Sequence, residues 1–575
     1  EILDPSPSAG DRFSSSFSIL PNGNILVRNQ DADVGGLIDA GEILLFDPQG
    51  NLLGMLEGSA ANERLGSLFQ STVADGNLVF RSPNAGASMR GAVILFNDDT
   101  GQEIGRVSGS SANEQLGLTV DFFGVPTNTY AIQSPFADVG GLMDAGALIL
   151  VNEMTGREIG RVSGSAAGDR VGSNPLVLSA NGNYFVPVPN ADIGGAVDAG
   201  SLLLVNGGTG RLIGKVNGNN TNEFLGTSVN YFSFGPDVLV TSVKHNNGAF
   251  TDAGALIRVA NVNLGGGNIE RGRVMGGSTG EMLGTDGFQI LGSGDYVVFS
   301  ESADVGGFTD AGSIILADGA TGNPIGRLDG TSDNEILGNL QIIESTNGNY
   351  WAPSPLADPG GTADAGTLYL VDGTTGLAIG QFDGDTANEQ LSATTEQNFN
   401  LGFDKLIVRA PMHGGNTGLV GLFDSVDLGG GNFLSGSVAG AQPGDLVGNT
   451  ALTFLNNGNY LVQAPNYQLG TTVDVGAVIV ADNATGNALL TIQGDTMNER
   501  LGDFGDVDLF TLGIFDNFMI ISPEHTGNQG AVFFVDGSDT ASILNTVLGA
   551  VANDNLGSEG VTAVAGGILI PVPDA

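Results

Sequence analysis

Asn181-Gly182-Asn183-Tyr184-Phe185-Val186-Pro187-Val188 runs into Pro189-Asn190-Ala191-Asp192-Ile193-Gly194-Gly195-Ala196-Val197-Asp198, and then into Ala199-Gly200-Ser201-Leu202-Leu203-Leu204-Val205. Asn-Gly suits a tight type I′ turn, because both central residues tolerate positive φ. A first strand near Leu176 to Ser179 therefore turns back into a second, Tyr184 to Val188. A glycine-rich loop separates that strand from a third, Ala199 to Val205, whose continuous apolar run predicts burial on both faces. Gly208-Thr209-Gly210 makes the next turn and Leu212 to Val216 a fourth strand. Four short antiparallel strands joined by tight turns read as one blade of a β-propeller.

The unit recurs. An acid two places ahead of an apolar residue, usually with a glycine following, returns as Asp11, Glu63, Glu114, Asp169, Glu223, Glu281, Glu335, Glu389, Asp445, Glu499 and Asp554. Its spacing of about 51 to 58 residues is that of a repeat array. Units fall at 12–64, 65–115, 116–170, 171–224, 225–282, 283–336, 337–390, 391–445, 446–500 and 501–555, with partial units at 1–11 and 556–575. The expectation is one all-β, β-propeller-like domain of about ten four-stranded blades over 1–575. A β-helix is the rival, although its rungs are shorter and lack repeated tight hairpins. Ile2-Leu3-Asp4 reads as a fourth strand ahead of Ser8-Ala9-Gly10. Val561 to Val564 and Ile568 to Pro571 read as a first and a second strand. These end pieces could form a composite closing blade, and the unit count is consistent with a large ring, an open spiral or two rings. Starting at Glu1 and stopping at Pro573-Asp574-Ala575, the sequence reads as a segment of a longer natural chain.

Composition narrows the function. Asp plus Glu is 63 and Lys plus Arg only 19, so the net charge of −44 reflects missing bases. Without a basic patch the surface repels nucleic acid and anionic lipid. There is no cysteine, hence neither a disulfide nor a thiolate metal site. No apolar stretch is long enough to predict membrane insertion. A cysteine-free repeat chain fits a bacterial extracellular or cell-surface location.

The run from Ser134-Pro135-Phe136-Ala137-Asp138 to Asp144-Ala145-Gly146, the copy from Val188 to Leu204, and Ser354-Pro355-Leu356-Ala357-Asp358 to Asp364-Ala365-Gly366 resemble the FG-GAP repeats of integrin-α-type β-propellers. The Asn349-Tyr350 to Pro355 segment is similar to repeats of large bacterial exoproteins that carry filamentous-haemagglutinin-type secretion domains. The resemblance implies a propeller fold and an adhesive or surface role. FG-GAP blades often hold calcium between the first two strands. Here that connection is a tight turn (Asn22-Gly23, Asn181-Gly182, Asn457-Gly458), so that site does not carry over.

Two sets of acids are candidate sites. The once-per-repeat acid reads as a structural tie between units, accepting hydrogen bonds from turn amides. The Asp-x-Gly-Gly-x-x-Asp loops pair Asp33 with Asp39, Asp138 with Asp144, Asp192 with Asp198, Asp304 with Asp310, and Asp358 with Asp364. Such pairs could offer oxygens to calcium, the one cofactor expected, or could simply form Asx turns. His245, His413 and His525 all follow second strands on different units, and read as variable loop residues rather than one zinc site. Gly276-Gly277-Ser278-Thr279-Gly280 matches a nucleophile elbow only by composition, and no nucleophile–base pair stands out. The expectation is therefore a non-enzymatic scaffold that self-associates or binds a cell-surface or matrix partner. A carbohydrate- or protein-recognising propeller and a polysaccharide hydrolase or lyase are the alternatives.

Overall fold

The structure is a computed structural model describing residues 2–7, 10–13, 16–73, 76–122, 128–231, 237–396, 404–503, 507–508, 517–564 and 567–571. The expectations for Glu1, Ser8-Ala9 and Pro573-Asp574-Ala575 lie outside the described residues. Among the described residues the chain forms ten four-stranded antiparallel sheets and one two-stranded sheet. Strand order within each sheet follows the chain, the meander of a propeller blade. The first sheet comprises Ser16–Ile19, Ile25–Asn29, Glu42–Phe46 and Leu52–Glu57, and the tenth Val507–Asp508, Asn517–Ser522, Ala531–Asp536 and Ser542–Leu548. Each sheet falls within one repeat interval. The fold is an all-β, propeller-like array. It divides into two compact units, Glu1–Thr285 with Thr321–Asn323, and Asp286–Ala320 with Pro324–Ala575.

The fourth sheet shows why the third strand is apolar throughout. Its strands are Val177–Leu178, Tyr184–Val188, Ser201–Val205 and Leu212–Asn217, and the middle two are buried along their whole length. Tyr184, Val186 and Leu203 pack with Ala131, Leu148 and Leu150 of the third sheet. Phe185, Leu202 and Leu204, pointing the other way, pack with Val238, Val240 and Ile257 of the fifth. The core thus lies between neighbouring sheets, and a lone repeat would leave both faces in water.

The Asn-Gly turn differs from the type I′ expectation. Ser179 N–H donates to Asn183 O at 2.9 Å and Gly182 N–H to Ser179 O at 2.9 Å, closing a three-residue loop. Only Gly182 takes positive φ, at 83°. This is a type I turn completed by a left-handed glycine. The asparagine is selected instead for its side chain, whose Oδ1 accepts the Asn183 N–H at 3.1 Å. Its amide group reaches the next sheet. Asn347 and Asn349 Nδ2 donate to Ser425 O at 3.1 and 2.9 Å, and Asn457 and Asn459 Nδ2 donate to Gly537 O at 2.9 and 3.1 Å. The Asn-Gly-Asn motif is therefore a clamp on the following repeat's third-to-fourth-strand turn.

A second contact uses glycine. Gly105, Gly160, Gly326 and Gly436 sit in fourth strands, where an added Cβ would overlap the carbonyl oxygen of Thr155, Thr209, Thr375 and Thr485 respectively. Each of those threonines belongs to the Thr-Gly turn of the next repeat. Gly214 and Gly380 instead face the carbonyl oxygens of Gly267 and Gly431, in longer glycine-rich turns, and the ninth sheet departs further. Leu490 pairs with Val480 as Gly326 pairs with Leu316, and the tenth repeat's turn reads Gly537-Ser538-Asp539-Thr540, without Thr-Gly. The larger side chain and the altered turn occur together.

The N-terminal end also differs from expectation, whereas the C-terminal end has its two strands. Ile2–Asp4 forms no strand, and the first sheet has its four members without it. Thr562–Val564 and Gly567–Leu569 form the two-stranded sheet.

Candidate functional site

The repeat acids Glu63, Glu114, Asp169, Glu223, Glu281, Glu335, Glu389, Asp445, Glu499 and Asp554 are all buried, the most open being Glu499 at 7% exposure. Glu63 sets the pattern. Its Oε2 accepts the Ser59 and Ala60 N–H groups at 2.6 and 3.0 Å, and its Oε1 the Ser82 hydroxyl at 2.7 Å. The first two donors lie in the loop leaving one sheet, and the third ends the second strand of the next. One carboxylate therefore pins two repeats. Three convergent donors satisfy its oxygens at this buried position.

Apart from Asp11 with Asn29 and Glu389 with Ala410, acid type and strand-end residue vary together. Glu63, Glu114, Glu223, Glu335 and Glu499 meet the hydroxyls of Ser82, Ser134, Ser242, Ser354 and Ser522 at 2.6–2.9 Å. Asp169 and Asp445 are one methylene shorter, and Val188 and Ala464 occupy the strand-end position. There the outer oxygen accepts a backbone N–H instead, from Asp192 at 3.1 Å and Gln468 at 3.0 Å. Ser278 of the elbow-like match donates its N–H and hydroxyl to Glu281 Oε2 at 2.9 and 3.1 Å, placing it in the same acid-binding turn.

The first repeat is different. Asp11 is partly buried, and the strand-end residue is Asn29, whose Nδ2 donates to Glu42 Oε1 at 3.0 Å. Glu42 is 1% exposed, and neither its Oε2 nor Asn29 Oδ1 has another partner. Desolvation outweighs the Asn29 hydrogen bond and, with nearby Asp4, Asp11 and Glu57, raises the Glu42 carboxyl to about 7. Below its ordinary value of 4.5 the group is protonated in both states. Between there and about 7 the unfolded chain loses its proton first, so stability falls as pH rises, by at most about 3 kcal/mol, and then levels off. Thermal melts of Glu42→Gln should accordingly match the parent at pH 4 and exceed it most at pH 8.

The aspartate-pair loops have uniform geometry. Oδ1 of Asp33, Asp138, Asp192, Asp304 and Asp358 accepts the N–H of Asp39, Asp144, Asp198, Asp310 and Asp364 at 2.7–3.0 Å. The second aspartate always takes φ of 48–52°. In the fifth repeat Asn246 Oδ1 accepts the Asp252 N–H at 2.9 Å, so a neutral amide performs the same closure. Each loop offers calcium two carboxylates, one oxygen of which is already engaged, against the six to eight oxygens the ion takes. Loop closure needs no metal. Asp138→Asn is expected to cost less than about 0.5 kcal/mol and Asp138→Ala about 1 kcal/mol. Chemical melts with and without a calcium chelator should give the same ordering.

The histidines are more than loop residues. His245, 2% exposed, places Nδ1 2.9 Å from Glu223 Oε1. His413 Nδ1 lies 2.8 Å from Glu389 Oε1, and His525 Nδ1 2.9 Å from Glu499 Oε1. Burial raises the Glu223 carboxyl, but His245, Ser242 and the Asn219 N–H together hold it below its ordinary value. Sequence reasoning missed this partnership. For His413 alone there was a traceable signal, Ala410, a strand end lacking the usual serine.

Three stretches, 178–230, 290–326 and 454–488, match a family model described as a repeat of unknown function (DUF5650). Each match begins at the end of a first strand and runs through the second and third. No curated protein sequence matches the chain. Solved structures similar to it include the C-terminal WD40 domain of Sif2, at 15% identity, covering 74% of this chain and 96% of that one, with a TM-score of 0.24. A eukaryotic initiation factor matches at 12% identity over 79% and 93%, with a TM-score of 0.27. The computationally designed Ika8 protein matches at 14% identity over 69% and 91%, with a TM-score of 0.23.

Proposed function

We propose that this repeat scaffold is an extracellular structural or adhesive protein serving in surface attachment, coating or filament assembly, without catalysis. The observation that carries the reading is the burial of the repeat acid. The most regular polar group of each repeat is directed at its neighbour, leaving recurrent glycine-rich loops as the chain's repeated outer feature. Many equivalent weak surfaces suit multivalent contact. The resemblance to FG-GAP and exoprotein repeats points the same way. Among the described residues no helix is long and apolar enough to cross a membrane.

A groove of about 450 Å³ favours the second reading, ligand recognition. Pro189, Phe224, Thr227, Val243 and Lys244 line it, with the Lys244 ammonium 5.4 Å from the centre of the Phe224 ring. Sedimentation velocity and electron microscopy of the full chain over a concentration series separate the two. The scaffold reading expects concentration-dependent association into fibres or sheets. A chain that stays monomeric, yet binds one glycan class on an array at 1:1 and loses it on Phe224→Ala, would replace that reading with the second.

A further inference from the structure

Among the described residues, two groups bring a histidine and two carboxylates to one place, Asp385 with Glu389 and His413, and Asp495 with Glu499 and His525. In each the candidate ligand atoms lie within 4.8 Å of one another. We propose that these are two similar sites for a divalent transition-metal ion such as Zn²⁺, bound through the histidine Nδ1 and one oxygen of each carboxylate, with the Ser522 hydroxyl also on Glu499 Oε1 where the other site has Ala410.

The geometry converges on a single nitrogen. His413 Nδ1 faces Glu389 Oε1 at 2.8 Å and Asp385 Oδ1 at 3.6 Å, and His525 Nδ1 faces Glu499 Oε1 at 2.9 Å and Asp495 Oδ1 at 3.4 Å. The surrounding shell fixes these oxygens. Asp385 Oδ1 accepts the Gly414 N–H at 2.8 Å, and Asp495 Oδ1 the Thr526 N–H at 2.8 Å. Glu389 Oε2 and Glu499 Oε2 each hold two loop amides. The rings are steadied by Phe382 at 5.8 Å and Phe533 at 5.3 Å. Such outer partners orient metal ligands. The buried glutamate is matched by an exposed aspartate, so the ion could keep water in its remaining positions. Imidazole with carboxylate suits zinc and its neighbours better than calcium.

The third histidine supplies the internal comparison. His245 makes the same contact with Glu223, but Asn219 stands where the other repeats have Asp385 and Asp495. Its Nε2 lies 3.1 Å from Arg273, so a guanidinium brings the positive charge to that site. In strand register, Arg273 corresponds to Ser437 in one proposed site and to Thr546 in the other. Of the three histidine sites, the two that lack this arginine are the two that add an aspartate. The metal would supply the cation there.

The test is calorimetric titration of the full chain with ZnCl₂ at pH 7.5, with Co²⁺ absorption as a spectroscopic check of nitrogen and oxygen ligation. Two ions per chain are expected. His413→Gln and His525→Gln should each remove one, the double variant both, and His245→Gln neither. Asp385→Asn with Asp495→Asn alters only exposed side chains and should weaken both sites at least tenfold while leaving the melting curve of the metal-free chain in place. Absence of saturable binding, or a stoichiometry unchanged in the double histidine variant, would overturn the proposal and leave the clusters as protonated histidine–carboxylate pairs.

Discussion

Glu335→Ala is expected to destabilise the junction of the sixth and seventh repeats by about 3–5 kcal/mol. The carboxylate accepts the Thr331 and Ser332 N–H groups at 2.6 and 3.1 Å, and the Ser354 hydroxyl at 2.7 Å, and the residue is 1% exposed. Truncation removes the charge but leaves these donors without their acceptor, and an unsatisfied buried donor costs about 1–3 kcal/mol. Glu335→Gln retains one acceptor oxygen and should cost about half as much. The only tryptophan, Trp351, lies three residues before Ser354 on the same strand and is fully buried, so its fluorescence reports this junction. Urea unfolding followed at Trp351 should show an earlier transition in Glu335→Ala. An unchanged midpoint would mean that the buried acid does not hold the repeats together.

Gly326→Val is expected to have an effect of similar size, about 3 kcal/mol or more, through the opposite mechanism. A Cβ on Gly326 would meet the Thr375 carbonyl oxygen, and backbone cannot rotate aside as a side chain can. The seventh repeat would have to move away from the sixth, exposing core such as Leu316, Leu328 and Tyr350. Gly208→Ala is the control, because its Cβ would meet only Asn206 Oδ1 at 3.6 Å, an ordinary contact. Trp351 fluorescence separates the outcomes again. Equal midpoints for the two variants would show that the close approach is not required.

What the sequence revealed, and what it hid, follows the range of each interaction. The four strands of a repeat were legible because apolar runs and glycine turns act over a few residues, as in Tyr184 to Val188, whose limits matched the observed strand. The Asn-Gly turn was found but mistyped, since type I′ reasoning considers the backbone of Asn181 alone and ignores the Nδ2 that reaches the next sheet. The fourth-strand glycines were visible as a recurrent Ile-Gly, yet their purpose depends on a turn about fifty residues later. The histidine contacts with Glu223, Glu389 and Glu499 span 22–26 residues and join two repeats. No local periodicity encodes such a meeting. The covariation of Glu with Ser and of Asp with Val or Ala encodes the acid's own meeting with the strand end, Glu389 with Ala410 standing outside it, once both ends are known to touch.

The leucine at position 490 and the altered turn that follows it have a genealogical consequence. Where successive units share the glycine-and-threonine fit, unequal crossing-over can add or delete a copy and still yield matching neighbours, so copy number there is free to drift. The last pairing alone replaces the glycine with a bulky side chain, whereas the glycine-rich turns facing Gly214 and Gly380 keep it. Natural length variants differing by fifty-odd residues should therefore keep the ninth and tenth units adjacent and vary upstream of them.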